Sequence, residues 1–430
     1  MMQFISVADA MKQGSGTVSI RGWCYRERKS NQRAFIVVRD ASNVIQCVVD
    51  KATVAADVWE AANKVAVEAS LEVSGEIKPD TRAPTGYEIK VETLRLVGPS
   101  DAFPITKDQS TEFLLDVRHL WLRSRMLTSV MRVKSAMLAA AREFFEQKKY
   151  FEVTPPIITG SSCEGGSTLF ELNYFGEKAY LSQSAQLYLE SMIFSLEKVW
   201  SLTPSFRAEK SRTQRHLAEY WHLEGEEAWL DFNGLLEFEE QLISYICQTV
   251  AARCADDLKA LGRDPADLAK ITPPFPRISY AEAIEILQKE GIELKWGDDL
   301  GTEHERVLSM KFEKPLMIMR YPKDIKAFYM KQDAADPKVV LCCDVLAPEG
   351  YGEIIGSSER ETDYNEIVRK LEAQGEKIEH YAWYLDLRKY GSVPHSGFGL
   401  GIERVLRWIC KLESIRDAIP YPRTITRKYP

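Results

Sequence analysis

A short stretch near the start of the chain holds five cations and two aromatic rings: Arg26, Arg28, Lys29, Arg33 and Arg39, with Tyr25 and Phe35 among them. Cations of this kind follow phosphates while ring faces stack on unpaired bases, so the stretch is typical of a surface that binds single-stranded nucleic acid. A solvated strand surface explains the same residues equally well. The cluster alone leaves both interpretations open.

Several familiar enzyme motifs are absent from the sequence. It has no GxxxxGK[ST] phosphate loop, no HExxH and no GxSxG, and the run GFGLG at 397–401 lacks the GxGxxG dinucleotide spacing. Any nucleotide chemistry in this chain must therefore use another scaffold.

The composition is that of a folded protein with more than one domain. The chain has 430 residues, of which 45% are hydrophobic and 28% charged, and this excludes a disordered or collagen-like protein. No apolar run reaches about 18 residues and the N-terminus lacks a signal-peptide pattern, so we expect a cytoplasmic protein with no membrane association. The eight cysteines form no CxxC pair, which favours reduced thiols over a zinc site or a disulfide scaffold.

Apolar patterns divide the chain into two regions. Residues 17–98 predict five short strands with a helix after the third, as in a small closed barrel of the oligonucleotide-binding (OB) type. The polar, Pro-containing stretch at 101–116 predicts a linker. Residues 117–430 mix amphipathic helices with apolar strands, including a strand predicted at 326–332. The fold class is therefore α+β, with domains at 1–100 and 117–430.

Three segments of the second region carry a characteristic set of residues, at 151–159, 203–224 and 396–408. In this order they resemble motifs 1, 2 and 3 of the class II aminoacyl-tRNA synthetases. The whole chain resembles the archaeal and eukaryotic type of asparaginyl-tRNA synthetase. That resemblance implies an anticodon-binding OB-fold domain at 1–100 and a class II catalytic domain at 117–430, in which helices flank an antiparallel sheet.

The segment FEVTPPIIT at 151–159 is similar to motif 1, which builds a homodimer interface. The proline of that motif corresponds to Pro156. On its own, a helix followed by a Pro-bounded strand is more often simple packing.

The segment TPSFRAEKSRTQRHLAEYWHLE at 203–224 is similar to motif 2, two antiparallel strands joined by a charged loop. Activation brings an amino-acid carboxylate next to the α-phosphate of ATP, and fixed cations must offset the repulsion between the two anions. The resemblance implies that Arg207 contacts both groups and that Glu209 accepts a hydrogen bond from the adenine amino group. It also implies that His216 reaches the terminal phosphate and that Tyr220 stacks on adenine. Without the third segment, a salt-bridged hairpin explains these charges as well.

The segment SGFGLGIERVLRW at 396–408 is similar to motif 3. Its glycines, which include Gly401, leave room for a backbone beside a bound base. Arg404, at the head of the following helix, holds the γ-phosphate of a bent ATP in this family.

A magnesium site is implied by two acidic residues that match the family's ligand positions, Asp344 and Glu353. Carboxylate oxygens suit Mg²⁺ on phosphates. Gly356 stands where aspartate-specific relatives commonly have Ser, so the complete set of metal ligands stays open.

Two loops resemble the amino-acid pocket. SCEGGSTLF at 162–170 is similar to the loop that closes over the substrate, with Glu164 near its ammonium group. SQSAQLYLE at 182–190 resembles the strand-to-helix segment of the pocket, which implies that Ser184 and Gln186 help to bind the same end of the substrate.

The side-chain end of the pocket indicates which amino acid is bound. Aspartate-specific relatives have Lys where this chain has Leu189. Without that Lys, Arg360 and Glu224 sum to zero charge and suit a neutral amide, with Arg360 donating to the amide oxygen and Glu224 accepting from the amide NH₂. Bound aspartate would place its carboxylate against Glu224, which is a costly contact between like charges.

The barrel resembles the anticodon-binding surface of the same enzymes. The resemblance implies that Phe35 stacks on the central anticodon uridine and that Gln46 hydrogen-bonds nearby. A strand Phe taken alone is more often a core residue.

The resulting hypothesis is an ATP- and Mg²⁺-dependent homodimer that charges tRNA(Asn) with asparagine. A non-discriminating aspartyl-tRNA synthetase is the main alternative, and Leu189 argues against it. A tRNA-independent asparagine synthetase would lack the barrel. A nucleic-acid-binding module without activity would have no reason to keep Arg207, Arg404 and the two acids together.

Overall fold

The computed structural model describes residues 3–160, 163, 168–209 and 216–430. Residues 1–115 and 116–430 form two compact units, and the division between them lies inside the segment that the sequence predicts as a linker. All eight cysteines are free and buried, as predicted. Within the described ranges, no helix has both the length and the apolar character needed to cross a membrane.

The first unit is a closed barrel of five strands. Its elements are α1 (Val7–Gln13), β1 (Gly16–Lys29), β2 (Arg33–Arg39), β3 (Val44–Asp50), α2 (Ala56–Lys64), β4 (Ser70–Pro79) and β5 (Tyr87–Gly98). The strands close in the order β1, β2, β3, β5, β4. Buried and partly exposed residues alternate along β2 and β3, because one face of each strand points into the barrel. The barrel and the helix after its third strand are confirmed.

The described residues of the second unit are built around a sheet of eight strands. These are β6 (Phe151–Glu152), β10 (Lys198–Phe206), β11 (Glu219–Ala228), β12 (Arg277–Ser279), β13 (Leu316–Met319), β14 (Cys342–Ala347), β15 (Gly352–Glu359) and β16 (His395–Gly401). They lie in the order β12, β13, β14, β15, β16, β11, β10, β6. The pairs at the two ends are parallel and the others antiparallel. A smaller sheet contains β7 (Ile158–Thr159), β8 (Glu171–Tyr174) and β9 (Glu177–Leu181).

Helices cover the large sheet and share one apolar core with it. The core helices are α5 (Arg125–Gln147), α7 (Phe232–Arg253) and α14 (Ile402–Ile409). In this core the Phe145 ring stacks on Trp200 with 4.6 Å between the ring centroids. The remaining helices of the second unit are α4 (Arg118–Trp121), α6 (Gln186–Leu196), α8 (Ala255–Ala260), α9 (Pro265–Ala269), α10 (Tyr280–Lys289), α11 (Thr302–Ser309), α12 (Tyr364–Ala373) and α13 (Ala382–Lys389), and α3 (Thr111–Asp116) spans the division between the two units.

The strand predicted at 326–332 is wrong. Only two isolated bridges form in this segment, from Met330 to Arg360 and from Gln332 to Val340. The reason is that β14 and β15, the strands that this run meets, are each already paired on both sides and leave it no free edge. The segment instead borders a cleft.

Arg118 of α4 forms hydrogen bonds with the C-terminal part of the second unit. Its side chain is fully buried and donates hydrogen bonds to the carbonyls of Arg416, Ile419 and Pro420 at 2.9–3.0 Å, and to the Asp417 carboxylate at 3.2 Å. We expect Arg118→Met to lower the free energy of unfolding of this unit by about 3 kcal/mol, because it leaves a partly buried carboxylate and three carbonyls without their fully buried donor. Calorimetric melting of the full chain measures the change.

Arg253→Met provides the matched control. Arg253 also forms a bidentate ion pair, in which it donates two hydrogen bonds of 2.8 Å to Glu143, but both side chains are exposed. Water replaces the lost contacts there, so the melting temperature should hardly change. Equal destabilisation by both variants would contradict the assigned role of Arg118.

Candidate active site and nucleic-acid surface

The cleft lies on the sheet face opposite the core helices, and strand alternation sets which side chains reach it. Leu223 of β11 packs into the helix core. Successive residues of a strand point to opposite faces, so His222, Glu224 and Glu226 project together on the other side. Neighbouring β14, β15 and β16 add residues to the same face.

The residues predicted to bind ATP lie together in one part of the cleft. Its lining includes Arg207, His216, Tyr220, Glu353, Gly401 and Arg404. Glu209 is adjacent, with one carboxylate oxygen 3.8 Å from Arg207 Nη1 and the other 3.7 Å from His216 Nε2. The Arg207 guanidinium also lies over the Tyr220 ring, 5.9 Å from its centroid. The structure thus brings these residues together, and their individual roles stay predictions.

The two acids predicted as metal ligands each have a cationic partner. Arg404 Nη1 donates to Glu353 Oε2 at 2.8 Å, and Lys326 Nζ donates to Asp344 Oδ2 at 2.8 Å. Burial acts to raise the pKa of Glu353, but Arg404 and Lys326 outweigh it and lower the pKa to about 2. Burial and the neighbouring Glu353 raise the pKa of Asp344, against the opposing effect of Lys326.

Gly356 lies beside both acids. A Cβ at this position would be 3.5 Å from Glu353 Oε1 and 3.9 Å from Asp344 Oδ1, so the two carboxylates approach one common point. No group of three His, Cys, Asp or Glu side chains arranged around a metal occurs in the described part of the chain. Two carboxylates are nevertheless what Mg²⁺ commonly takes from a protein when phosphates complete its shell, so the residues present fit that ion.

The other part of the cleft holds residues predicted to bind the amino acid, and Ser184, Gln186, Glu224 and Arg360 line it. The Glu224 carboxylate accepts hydrogen bonds from Ser184 Oγ and, at 2.8 Å, from the Ala185 backbone N–H. Glu224 is therefore fixed by the start of α6. Glu164, the remaining predicted member, lies outside the described residues.

Arg360 differs from its predicted arrangement, because its charge is matched by Glu226 rather than Glu224. Both acceptor oxygens of Glu226 receive hydrogen bonds from the Arg360 guanidinium, and Ser358 Oγ accepts a third at 2.8 Å. Burial raises the pKa of Glu226, although Arg360 opposes the effect. The predicted count of two charges beside the substrate side chain therefore omits Glu226, and the roles of Arg360 and Glu224 toward the substrate stay predictions.

Leu189 is also placed differently from the prediction that it lines the amino-acid pocket. Its side chain is fully buried in an apolar cluster with Ala185, Ile193 and Val199, and it is not part of the described cleft lining. The side chain follows α6 inward onto β10. Leu189 does not border the cleft, so its effect on the pocket is only that it adds no positive charge, as a lysine at this position would.

A buried polar network lies behind the pocket. Glu190 accepts hydrogen bonds from Arg388 Nη2 and Tyr384 Oη, each at 2.8 Å, and lies 3.0 Å from His395 Nε2. Burial would raise the pKa of Glu190, but Arg388 and His395 hold it well below its usual range. Gln186 Nε2 donates to the same carboxylate at 3.0 Å, which ties a pocket residue to this network.

Sequence reasoning missed His222 and Lys326, which line the cleft, and the buried Glu226, which pairs with Arg360. The spacing of two residues from His222 to Glu224 to Glu226 is a usable signal, because it places all three on one face of a strand. No sequence pattern pointed to Lys326, because the segment 326–332 was predicted to be a strand rather than part of the cleft lining.

Pro156, the predicted interface residue, lies in the exposed segment between β6 and β7. Apolar side chains on both sides of it reach the surface, and Phe151, Ile157 and Ile158 are 37–54% exposed. Such a cluster is typical of a surface that packs against another protein.

The barrel displays Phe35 and Gln46 on its outer face. Phe35 pairs with Val48 and Gln46 with Val37 across β2 and β3, so both side chains share one side of the ribbon and are partly exposed. Phe35 is therefore not a core residue. The Arg28 guanidinium lies 5.6 Å from its ring centroid, and Gln46 Nε2 donates to Glu88 at 3.2 Å.

Family models match both units of the chain. Residues 110–425 match the class II tRNA synthetases for aspartate, lysine and asparagine (D, K and N), and residues 18–97 match the OB-fold nucleic-acid-binding domain.

Similar proteins span the whole chain. It is 51% identical over 431 residues to an asparagine–tRNA ligase of Thermococcus gammatolerans, with 100% of both chains covered. It is 45% identical over 414 residues to that of Pelotomaculum thermopropionicum, with 96% of each covered.

Among solved structures, asparaginyl-tRNA synthetase from Pyrococcus horikoshii complexed with asparaginyl-adenylate is similar with a TM-score of 0.96 and 48% identity, covering 100% of both chains. The enzyme of Entamoeba histolytica matches over 100% of both chains at a TM-score of 0.91 and 34% identity. With the barrel and the charged cleft described above, these similarities show that the chain belongs to the asparaginyl-tRNA synthetase family of class II aminoacyl-tRNA synthetases.

Proposed function

We infer that this chain is an asparagine–tRNA ligase, which joins asparagine to the 3′ end of tRNA(Asn) at the expense of ATP. The observation that carries this inference is one continuous cleft. The arginines suited to phosphates border one part, and the acid and arginine suited to a side-chain amide border the other. Full-length similarity to asparagine–tRNA ligases supports the same substrates.

In the first step the asparagine α-carboxylate attacks the α-phosphorus of ATP in line, and pyrophosphate leaves with the electrons of the broken P–O bond. Arg207 borders both parts of the cleft, which supports the proposal that it contacts both anions. Arg404 provides a second cation on the phosphate side. No protein nucleophile is required, since catalysis is mainly positioning and charge stabilisation.

We propose that Asp344 and Glu353 hold Mg²⁺. The ion would supply positive charge to the phosphates of ATP. Lys326 and Arg404 hold the two carboxylates in place, and the room beside Gly356 is consistent with an ion between them.

In the second step the 3′-hydroxyl of the terminal tRNA adenosine attacks the carbonyl carbon of the adenylate, and AMP leaves. The barrel is proposed to recognise the anticodon through the outer face of β1, β2 and β3. Phe35 offers a stacking surface there, and Gln46 offers an amide for hydrogen bonds to a base.

The enzyme is also proposed to act as a homodimer. The exposed apolar cluster around Pro156 supports this, because Phe151, Ile157 and Ile158 lie next to it on the surface. Packing against the same cluster of a second copy would remove these side chains from water.

Activation should depend on Arg207. We expect Arg207→Ala to slow asparagine-dependent pyrophosphate exchange by about 10² or more, because a cation that stabilises transition-state charge is lost. The exposed Arg253, replaced by Ala, serves as a control. Near-normal exchange by folded Arg207→Ala protein would contradict the assignment.

Anticodon recognition should be separable from activation. We expect Phe35→Ala to weaken tRNA charging by roughly 1–3 kcal/mol, the usual worth of one base–aromatic contact, while tRNA-free exchange is unchanged. Trp59→Ala is a suitable control, since Trp59 packs on the barrel core from α2 rather than lying on β1–β3. If both variants lose charging equally, Phe35 has only a structural role.

The pocket should select asparagine over aspartate. We expect the exchange reaction to favour asparagine by up to roughly 10⁴, the scale at which sites built on specific hydrogen bonds reject an analogue. Glu224→Gln should reduce this preference, because it removes the negative charge that repels a second carboxylate. Leu189→Lys is not an informative variant, since that side chain is buried in an apolar cluster. Comparable use of both amino acids by the unchanged protein would favour the non-discriminating aspartyl enzyme.

A further inference from the structure

The His222 ring lies where the two parts of the cleft meet. It is among the residues that border the nucleotide part, with Arg207 and Tyr220, and it also borders the amino-acid part with Ser184 and Glu224. Its side chain is 11% exposed, so the ring has little freedom to move. Neither the resemblance nor the reaction described above gives this residue a role.

The contacts of His222 point toward Glu224. His222 Nδ1 lies 3.4 Å from Glu224 Oε2 and 3.3 Å from Ser205 Oγ. A carboxylate only accepts hydrogen bonds, so the contact is favourable when Nδ1 carries the proton. Together with Ser184 Oγ and the Ala185 N–H, the ring then surrounds the Glu224 carboxylate with donors.

The other side of the ring is held by the neighbouring strand. A Cβ at Gly399 of β16 would lie 2.4 Å from His222 Nε2 and 2.8 Å from Cε1, well inside any allowed contact. Glycine at this position is therefore what allows the ring to lie across β16. The ring is confined between that strand and Glu224.

We propose that His222 is a positioning residue that fixes the Glu224 carboxylate and thereby sets the preference for asparagine over aspartate. The proposal rests on the proposed function, in which Glu224 faces the substrate side chain. If Nδ1 is removed, Glu224 keeps its charge but loses one of the donors that orient it. A carboxylate free to turn away repels aspartate less and accepts from the asparagine amide less well.

The test compares His222→Ala with His222→Asn in pyrophosphate exchange, measured separately with asparagine and aspartate. We expect His222→Ala to reduce the ratio of the two kcat/KM values by about tenfold or more, as for the loss of one hydrogen bond to a charged group. His222→Asn, whose amide N–H can replace Nδ1–H, should restore much of the ratio. The exposed His119, replaced by Ala, should leave the ratio unchanged.

Gly399→Ala gives an independent test, because its Cβ must displace the ring. We expect this variant to lower the same ratio, and to lower it little further in a His222→Ala background, since no ring remains to be displaced. Damage to ATP binding would affect both amino acids equally and cancel in the ratio.

Two results would overturn the proposal: an unchanged ratio in His222→Ala despite a lower rate, or fully additive losses in the double variant. Failure of the unchanged protein to exchange with asparagine would instead reject the proposed function.

Discussion

Buried charges on one face of a sheet must be balanced in pairs, and the architecture of the cleft depends on this constraint. Among the described residues, the buried pairs include Arg360 with Glu226 and Arg388 with Glu190, and the cleft also holds two partly buried pairs, Arg404 with Glu353 and Lys326 with Asp344. Removing one member of a buried pair is costly because the other is left uncompensated. Partners come from different elements, so the order of β14, β15, β16 and β11 in the sheet determines whether the charges balance at all.

The glycines of β16 make room for polar side chains of the neighbouring strand β11. We expected them to leave room for a bound base, but the structure gives two of them a further reason. A Cβ at Gly397 would lie 2.0 Å from Glu226 Oε1, as a Cβ at Gly399 would overlap His222. Long polar side chains of β11 thus lie across the backbone of β16 and are supported by it. A site held in this way by adjacent strands costs little reorganisation when substrates bind.

The sequence predicted well what depends on local patterns and poorly what depends on contacts between strands. Alternation along β2 and β3 was sufficient for the barrel, and the three motifs were sufficient for the catalytic unit. The ion pair of Arg360 with Glu226 was not predicted, because β15 and β11 are separated by β16 in the sheet and no local pattern reveals this order. Similarly, an apolar run such as 326–332 looks like a strand until the neighbouring strands are known to be fully paired.

The ion pair between Arg360 and Glu226 changes the explanation of how the pocket selects an amide. Arg360 is already paired with Glu226, so it is not the cation that balances Glu224. In the proposed pocket a substrate carboxylate placed against Glu224 meets repulsion between like charges, whereas a neutral amide does not. A lysine at the position of Leu189 would have to leave the apolar cluster beneath α6 to offset this charge. Selection of asparagine is therefore better explained by the Glu224 carboxylate of β11 and the groups that hold it than by the absence of a lysine at the position of Leu189 alone.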